Sequence, residues 1–330
     1  MIGFDYIASS GLDAAIREGS ANATKFIAGG TTLVDLMKLG VENPSRVVDL
    51  NTLRRRGDAM SSVTELAGGG IRLGALAHMS DVAWDPRVKD RFPLVSQALL
   101  LAASGQIRNM ATMGGNVLQR TRCPYFRDTA AVCNKREPGS GCSALHGLTR
   151  SHAILGTSDK CIATHPSDLA VAFAALDATV NVHGPSGARM LRFADLHTLP
   201  GQHPERETTL HTGDVITSID LPGIAFAHRS MYLKVRDRTS FAFALASAAV
   251  ALDVQNGTIR NARVGLGGVA TKPWRSREAE RALIGKPATR ATFVAAANAA
   301  LVGAAPHRDN AFKVELAKRT LVRALTEVSS

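Results

Sequence analysis

The sequence predicts a mixed fold in which strands and helices are spread over two or three domains. Three observations predict it. The chain is 330 residues long, enough for more than one core. Near the N-terminus a short apolar strand, residues 25–28, runs through Gly29-Gly30 into apolar positions at helical spacing: Leu33, Leu36, Met37 and Leu39. Beyond Pro222-Gly223, strand-like segments give way to an alanine-rich, helical C-terminal quarter.

Taken in order, the first unit is strand, glycine turn and helix, with Thr31 or Thr32 placed to cap the helix start. Asn43-Pro44 ends it, and residues 46–50 form the next strand. A further strand spans 71–75. A helix opens at Ser80-Asp81, and residues 92–103 continue as a strongly apolar helix. Thr112-Met113-Gly114-Gly115-Asn116 makes a second glycine turn with polar flanks. After it the pattern breaks: residues 120–160 are rich in Gly, Arg, Ser and Cys and show little periodicity. A structureless stretch of that length inside a compact domain calls for a function or a metal. Order resumes at His165-Pro166-Ser167-Asp168, where Asp168 suits the N-cap of an apolar helix over 169–176. A strand over 178–183 and a turn at Gly184-Pro185-Ser186-Gly187 follow. In the last third, 232–235 and 262–269 are strands and 241–252 suits either helix or strand. Helices cover 276–284, 289–302 and 310–326.

Composition narrows the function classes. A hydrophobic content of 45% and a charged content of 20% are those of an ordinary globular protein. No apolar run approaches the ~18 residues of a membrane span, so no membrane partner is expected. The net charge of +11 suits anionic ligands or an acidic partner, or simply a basic solvated surface. Nucleic acid is disfavoured, because aromatics are only 5% and do not interleave with the basic residues.

All four cysteines, Cys123, Cys133, Cys142 and Cys161, fall in or beside the irregular stretch. Four thiolates suit a tetrahedral zinc or an iron–sulfur cluster. Two disulfides or free thiols are alternatives, and the lack of a secretory signal at the N-terminus disfavours disulfides. His146, His152 and His165 lie close enough in sequence to join a zinc site. There is, however, no Cys-x-x-Cys knuckle and no histidine pair at zinc spacing. Spacing alone leaves cluster, zinc and no metal open.

Ala28-Gly29-Gly30-Thr31-Thr32 offers consecutive backbone amides at a helix start, where glycine lets a phosphate approach the chain. A structural tight turn explains Gly-Gly equally well. No Gly-Lys-Ser/Thr follows, so this is not a Walker loop, and Gly265-Leu266-Gly267-Gly268 lacks the Rossmann spacing. The segment from Thr112 to Asn116 suits a pyrophosphate or a ribityl chain. Lys234, Arg236 and Arg238 form a basic strand, with solvated surface as the plain alternative.

Together these motifs resemble the flavin-binding subunits of the molybdenum hydroxylase family, which includes xanthine dehydrogenase, carbon monoxide dehydrogenase and bacterial aldehyde oxidoreductases. The resemblance covers nearly the whole chain. Ala28-Gly29-Gly30-Thr31-Thr32-Leu33 resembles the family's first FAD pyrophosphate loop. Leu73-Gly74-Ala75-Leu76 with Ser80-Asp81 resembles its next strand and helix, and Ala111-Thr112-Met113-Gly114-Gly115-Asn116 its second FAD loop. Ser167-Asp168-Leu169-Ala170 resembles the segment whose aspartate holds the ribityl hydroxyls. Gly267-Gly268-Val269-Ala270 with Lys272-Pro273-Trp274-Arg275 resembles the C-terminal domain. The resemblance implies an α+β fold: a two-subdomain FAD-binding (PCMH-type) domain over 1–222, then a small antiparallel sheet plus helices over 223–330. It implies FAD contacts from Ala28, Gly29, Gly30, Thr31, Thr32, Leu33, Thr112, Gly114, Gly115, Asn116, Ile162, Asp168 and Lys234, with Lys234 near the isoalloxazine ring.

In most family members the second loop connects far more directly to Ser-Asp-Leu. Here an insertion at about 117–164 intervenes and holds all four cysteines. This departure resembles 4-hydroxybenzoyl-CoA reductases and periplasmic aldehyde oxidoreductases, whose flavin subunits carry an extra [4Fe–4S] cluster. The stretch through Cys123-Pro124-Tyr125-Phe126, Cys133-Asn134-Lys135-Arg136 and Gly139-Ser140-Gly141-Cys142 is most similar to the aldehyde oxidoreductase flavin subunit. The resemblance implies that Cys123, Cys133, Cys142 and Cys161 ligate one [4Fe–4S] cluster, among the cations Arg120, Arg122, Lys135 and Arg136. It also implies an electron-transferring oxidoreductase subunit with no catalytic residue of its own. Its partners would be a molybdopterin-binding large subunit and a [2Fe–2S] small subunit. The compartment would be cytoplasmic, or periplasmic by co-export with a signal-bearing partner. The competing expectation is a non-catalytic binding protein stapled by zinc. Within the family, the alternatives are a hydroxybenzoyl-CoA reductase or xanthine dehydrogenase-like flavin subunit.

Overall fold

A computed structural model describes residues 1–55 and 59–330, and within them the chain builds three sheets. Strands β1 (Asp5–Ala8), β2 (Thr24–Ile27) and β3 (Arg46–Asp49) form a parallel sheet in the order β1-β3-β2. Strands β4 (Val63–Glu65), β5 (Ile71–Gly74), β6 (Thr179–Gly184), β7 (Gly187–Arg192) and β8 (Val215–Leu221) form an antiparallel sheet, β4-β5-β8-β6-β7. Strands β9 (Ser230–Val235), β10 (Ala246–Gln255), β11 (Thr258–Gly267) and β12 (Trp274–Arg275) form the third, β12-β11-β10-β9, also antiparallel.

Two cores result. The first joins the parallel and five-stranded sheets through Val48, Leu73, Val180 and Ile219. It also takes in the helix Asp168–Ala175, which is buried on every side. That helix is apolar all round because it is enclosed between the middle of the molecule and β10–β11. Gly265 permits the close approach: a Cβ there would stand 2.8 Å from the Val171 carbonyl oxygen. The Gly265–Gly268 run therefore serves helix packing. The second core lies between the C-terminal sheet and the helices Arg277–Leu283, Arg290–Ala300 and Phe312–Ser329.

Several sequence expectations change in detail. The apolar helix expected over 92–103 is Pro93–Leu101, set off at Phe92 from a separate helix, Pro86–Arg91, because Pro93 cannot continue a hydrogen-bonded turn. The ambiguous 241–252 segment is a loop followed by β10, whose side chains are buried over most of its length. Strands β1, β4, β7 and β8 carry no strong sequence signal. β1 and β7 alternate or are exposed, and β4 has three residues.

The cysteine-bearing insertion is mostly irregular, with one short helix, Pro124–Arg127, and one 3-10 turn, Ser143–Leu145. Part of its order comes from the C-terminal helix. Lys313 is fully buried, and its Nζ donates to the carbonyls of Ser151 (3.1 Å), His152 (3.0 Å) and Gly268 (2.7 Å). Asn310 Nδ2 donates to the carbonyls of His152 and Ala153 at 3.2 and 3.3 Å. Burial pushes the Lys313 ammonium down to about 7, yet only the ammonium satisfies three acceptors at once. Lys313→Met leaves those carbonyls without a donor. It should lower unfolding free energy by on the order of 3 kcal/mol, measured as a shift of the urea midpoint. An unchanged midpoint would show that water replaces the lysine.

Candidate functional site

The first glycine segment follows β2 directly. Gly30 has φ +69°, a left-handed conformation that glycine adopts without strain, and it turns the chain into the helix Leu33–Lys38. Neither threonine caps that helix. Thr32 occupies the N-cap position with helical backbone angles and makes no side-chain capping bond. Val34 N donates to the Gly30 carbonyl at 3.0 Å, so the turn itself satisfies one first-turn amide, and the uncapped start leaves others for a ligand or water. Gly29 sits against Met110, and any Cβ there would run into the Met110 carbonyl.

The second glycine segment is a short helix, Met113–Val117, and not a turn. Thr112 caps it, Oγ1 accepting from Gly115 N at 3.2 Å. Gly114 packs on Ala75, where a Cβ would lie 3.1 Å from the alanine methyl. The two glycines therefore let each segment pack closely against its neighbours, Gly29 on Met110 and Gly114 on Ala75.

That space is a crevice in two parts. The larger, about 620 Å³, is lined by Ala28 to Leu33, Ala75, Leu76, Thr112, Gly114 and Gly115. The smaller, about 460 Å³, is lined by Asn116, Asp168, Lys234 and the loop Phe241–Phe243. Thr31, Thr32 and Gly115 line both, so the two are continuous. An elongated cleft with glycine amides midway and charged groups at one end fits a dinucleotide-sized ligand with a central diphosphate.

Asp168 and Lys234 meet in a buried ion pair, Oδ2 to Nζ 2.7 Å, with side-chain exposures of 5% and 1%. Ser167, not Asp168, caps the helix, its Oγ accepting from Ala170 N at 3.0 Å. The carboxylate is thereby free to face the cleft. Tyr232 donates its hydroxyl proton to Asp168 Oδ1 at 2.6 Å and, with that proton committed, accepts from Ser247 Oγ at 2.9 Å. Burial pushes the Asp168 carboxyl up against the opposing pull of Lys234, and pushes the Tyr232 phenol far up. Residues 232 and 234 share one face of β9 by the two-residue period. That spacing is the signal by which Tyr232 was recoverable from sequence. Asn116 is held by Ser167, whose Oγ donates to Asn116 Oδ1 at 2.6 Å. Ile162 is fully buried, its carbonyl accepting from Ala153 N, and it lines neither part of the crevice.

All four cysteines are free thiols. Cys133 and Cys142 face each other in an isolated antiparallel bridge. Burial pushes the Cys123 thiol up to about 12, with Cys133 and Cys161 adding to it. Burial likewise raises Cys161, with smaller contributions from Cys142 and Cys133. The four are therefore within electrostatic reach of one another. Cys123 Sγ lies 3.2 Å from His152 Nε2. Among the described residues no three His, Cys, Asp or Glu side chains stand close enough to hold one metal ion. The cations expected around the thiolates have other partners. Arg120 binds Glu42 and Glu207, Lys135 binds Glu207, and Arg122 binds Asp35. Arg136 donates to the carbonyls of Tyr125 and Phe126. Lys135 nonetheless acts on a thiol, opposing the rise that burial imposes on Cys161.

Comparison with known proteins places this geometry. Residues 3–224 match the family described as the FAD binding domain in molybdopterin dehydrogenase. Residues 231–328 match the CO dehydrogenase flavoprotein C-terminal domain. The chain is 46% identical over 317 residues to the aldehyde oxidoreductase FAD-binding subunit PaoB of Escherichia coli, covering 96% of this chain and 94% of that one. It is 28% identical to the glyceraldehyde dehydrogenase medium chain of Sulfolobus acidocaldarius, covering 86% and 82%. Its fold matches carbon monoxide dehydrogenase from Hydrogenophaga pseudoflava with a TM-score of 0.76 at 25% identity, covering 100% of this chain and 99% of that one. Among the described residues no helix is long and apolar enough to cross a membrane.

Two buried histidines give the site an acid limit. His197 donates from Nε2 to the Val117 carbonyl at 2.8 Å, tying down the end of the second glycine helix, and its edge meets the His165 ring at 4.7 Å. Burial pushes His197 down to about 4 and His165 well below its ordinary value. Both are neutral in the fold, whereas an unfolded histidine takes up a proton near 6.5. Their contribution to stability is complete above about pH 6.5 and is lost as pH falls from there toward 4. The melting temperature should drop over that window. The drop should be shallower in His197→Gln, which keeps a donor but cannot titrate. Equal slopes would remove His197 from the acid response.

Proposed function

Because the chain belongs to the FAD-binding subunits of the molybdenum hydroxylase family, we propose that it is the FAD and [4Fe–4S] electron-transfer subunit of a molybdenum-dependent aldehyde oxidoreductase. It takes electrons from a molybdopterin-binding large subunit and a [2Fe–2S] small subunit and passes them to an external acceptor. The observation that carries the FAD site is the continuous crevice between the two glycine segments, ending at the Asp168–Lys234 pair. The aldehyde class rests on the Escherichia coli relative, which aligns along nearly the whole chain.

FAD, when bound, supplies the redox chemistry of the subunit. The chain's own residues hold it. The amides from Gly29 to Leu33 and the segment from Thr112 to Asn116 would hold the diphosphate, and Gly29 and Gly114 let these segments pack close enough to shape that space. Asp168 offers a carboxylate oxygen to ribityl hydroxyls. Lys234 brings a positive charge toward the isoalloxazine end, tempered by its pairing with Asp168. The FAD-binding domain covers 1–222, with the insertion at about 117–164, and the C-terminal domain covers 223–330.

The cluster reading is supported by four free cysteines gathered in one insertion that has little apolar core of its own. Zinc needs its ligands converging on one atom, which these do not do among the described residues. A four-iron cubane carries its thiolates on separate corners and tolerates wider spacing. Iron would hold the thiols as thiolates despite their burial.

The purified chain should be brown-yellow, with flavin bands over a broad iron–sulfur shoulder. Cys142→Ser should lose iron and make the segment 120–160 sensitive to protease. A full iron complement in that variant would remove Cys142 from the ligand set. Alone, the loaded chain should show no aldehyde-dependent bleaching of its flavin, and adding the molybdenum and [2Fe–2S] subunits should restore it. Bleaching by aldehyde in the isolated chain would overturn the assignment.

A further inference from the structure

The helix Leu33–Lys38, which follows the first glycine segment, is six residues long and has no side-chain cap. A helix that short does not hold itself in water. Charged and apolar contacts from the cysteine insertion help to hold it. Asp35 accepts from Arg122 at 3.0 Å and from both Nη atoms of Arg127 at 2.7 and 3.1 Å. These guanidiniums, Arg127 foremost, hold its carboxyl below the usual range. Leu36 packs into a small apolar cluster with Phe126 and Cys133, flanked by Val41 and Cys123. Just past the helix, Glu42 accepts from Arg120 at 2.5 Å, and the same guanidinium lies 4.5 Å over the Phe126 ring. Two of the four cysteines therefore sit in the packing that positions the helix.

The insertion also reaches the front of the crevice. Arg120, Lys135 and Arg136 line its larger part, across from the glycine segment. Lys135 is fixed there by Glu207 at 3.1 Å and the Pro204 carbonyl at 2.8 Å. One irregular loop thus packs on the helix after the glycine segment and also lines the nucleotide space.

We propose that the cysteine insertion sets FAD affinity: its ordering fixes the helix Leu33–Lys38 and the crevice wall, so metal at the cysteines and FAD in the crevice strengthen each other's binding. This rests on the cluster reading for the identity of the metal, but not for the contacts. Linkage makes the effect reciprocal. If the same loop arrangement favours both ligands, each raises the other's affinity by the same factor.

Phe126 gives the cleanest test, because it is fully buried and lines neither part of the crevice. The full chain is titrated with FAD, following quenching of flavin fluorescence, and iron is assayed on the same samples. Phe126→Leu should raise the FAD dissociation constant roughly tenfold, inside the ~5–150-fold range of coupled sites. Stripping iron from the unsubstituted chain should do the same, and iron should be lost faster from FAD-free than from FAD-loaded chain. Cys133→Ser, a smaller change in the same cluster, is the second arm should Phe126→Leu fail to fold. An FAD dissociation constant unchanged within about twofold in a folded Phe126→Leu or Cys133→Ser chain overturns the proposal. A chain that never carries iron would overturn the cluster reading and with it the metal arm of the linkage, while the Phe126→Leu titration still decides whether the insertion sets FAD affinity.

Discussion

A buried carboxylate on one helix and a buried ammonium on one strand hold the working parts of this chain together. Asp168 belongs to the helix packed between Pro93–Leu101 and the C-terminal sheet, and Lys234 to the first strand of that sheet. Lys234 Nζ also donates to the Leu101 carbonyl at 3.1 Å, so a third element, the end of Pro93–Leu101, joins the same contact. Tyr232 and Ser247 complete the hydrogen bonding of the carboxylate side. Removing one partner of such a pair leaves an uncompensated charge, a loss of about 3–5 kcal/mol. The pair therefore fixes how the C-terminal sheet meets the rest, and with it the shape of the smaller part of the crevice.

The chemistry of single residues was legible in the sequence wherever it acts on its own backbone. Gly29-Gly30 announces a turn before a helix, and the alternation around Val180 and Val182 announces a strand. Pairing between distant residues was not legible. Asp168 suits an N-cap as well as Ser167 does, and only the packed structure shows which takes the role. Lys234, Arg236 and Arg238 look alike in a strand. Lys234 alone is drawn to a buried carboxylate 66 residues earlier in the chain. Gly114 and Gly115 carry the conformational freedom of a turn, yet Thr112 recruits them into a helix. The resemblance to a family supplied what spacing could not: that the two glycine segments face one another across a single ligand.

The insertion illustrates how irregular backbone is ordered without a core. Its apolar content is small, and polar tethers to several elements do the holding. Arginines reach Asp35 and Glu42, Asn134 Nδ2 donates to the Lys160 carbonyl at 3.1 Å, and the C-terminal helix binds the carbonyls around His152. Such tethers are directional, and each loses strength quickly when the loop shifts. The loop is therefore either closely in register with its surroundings or not ordered at all, which makes it a fitting carrier for a ligand-dependent structure.

The position of Asn310 and Lys313 has a bearing on how the molecule is made. A chain emerging from its N-terminus presents all four cysteines, both glycine segments and Asp168 well before those two residues exist. The carbonyls of Ser151, His152 and Gly268 must wait for the last helix before they have their donors. The growing polypeptide thus passes through a period in which the cysteine loop is complete in sequence but open in space. The C-terminal helix then acts as the closing stitch of biogenesis.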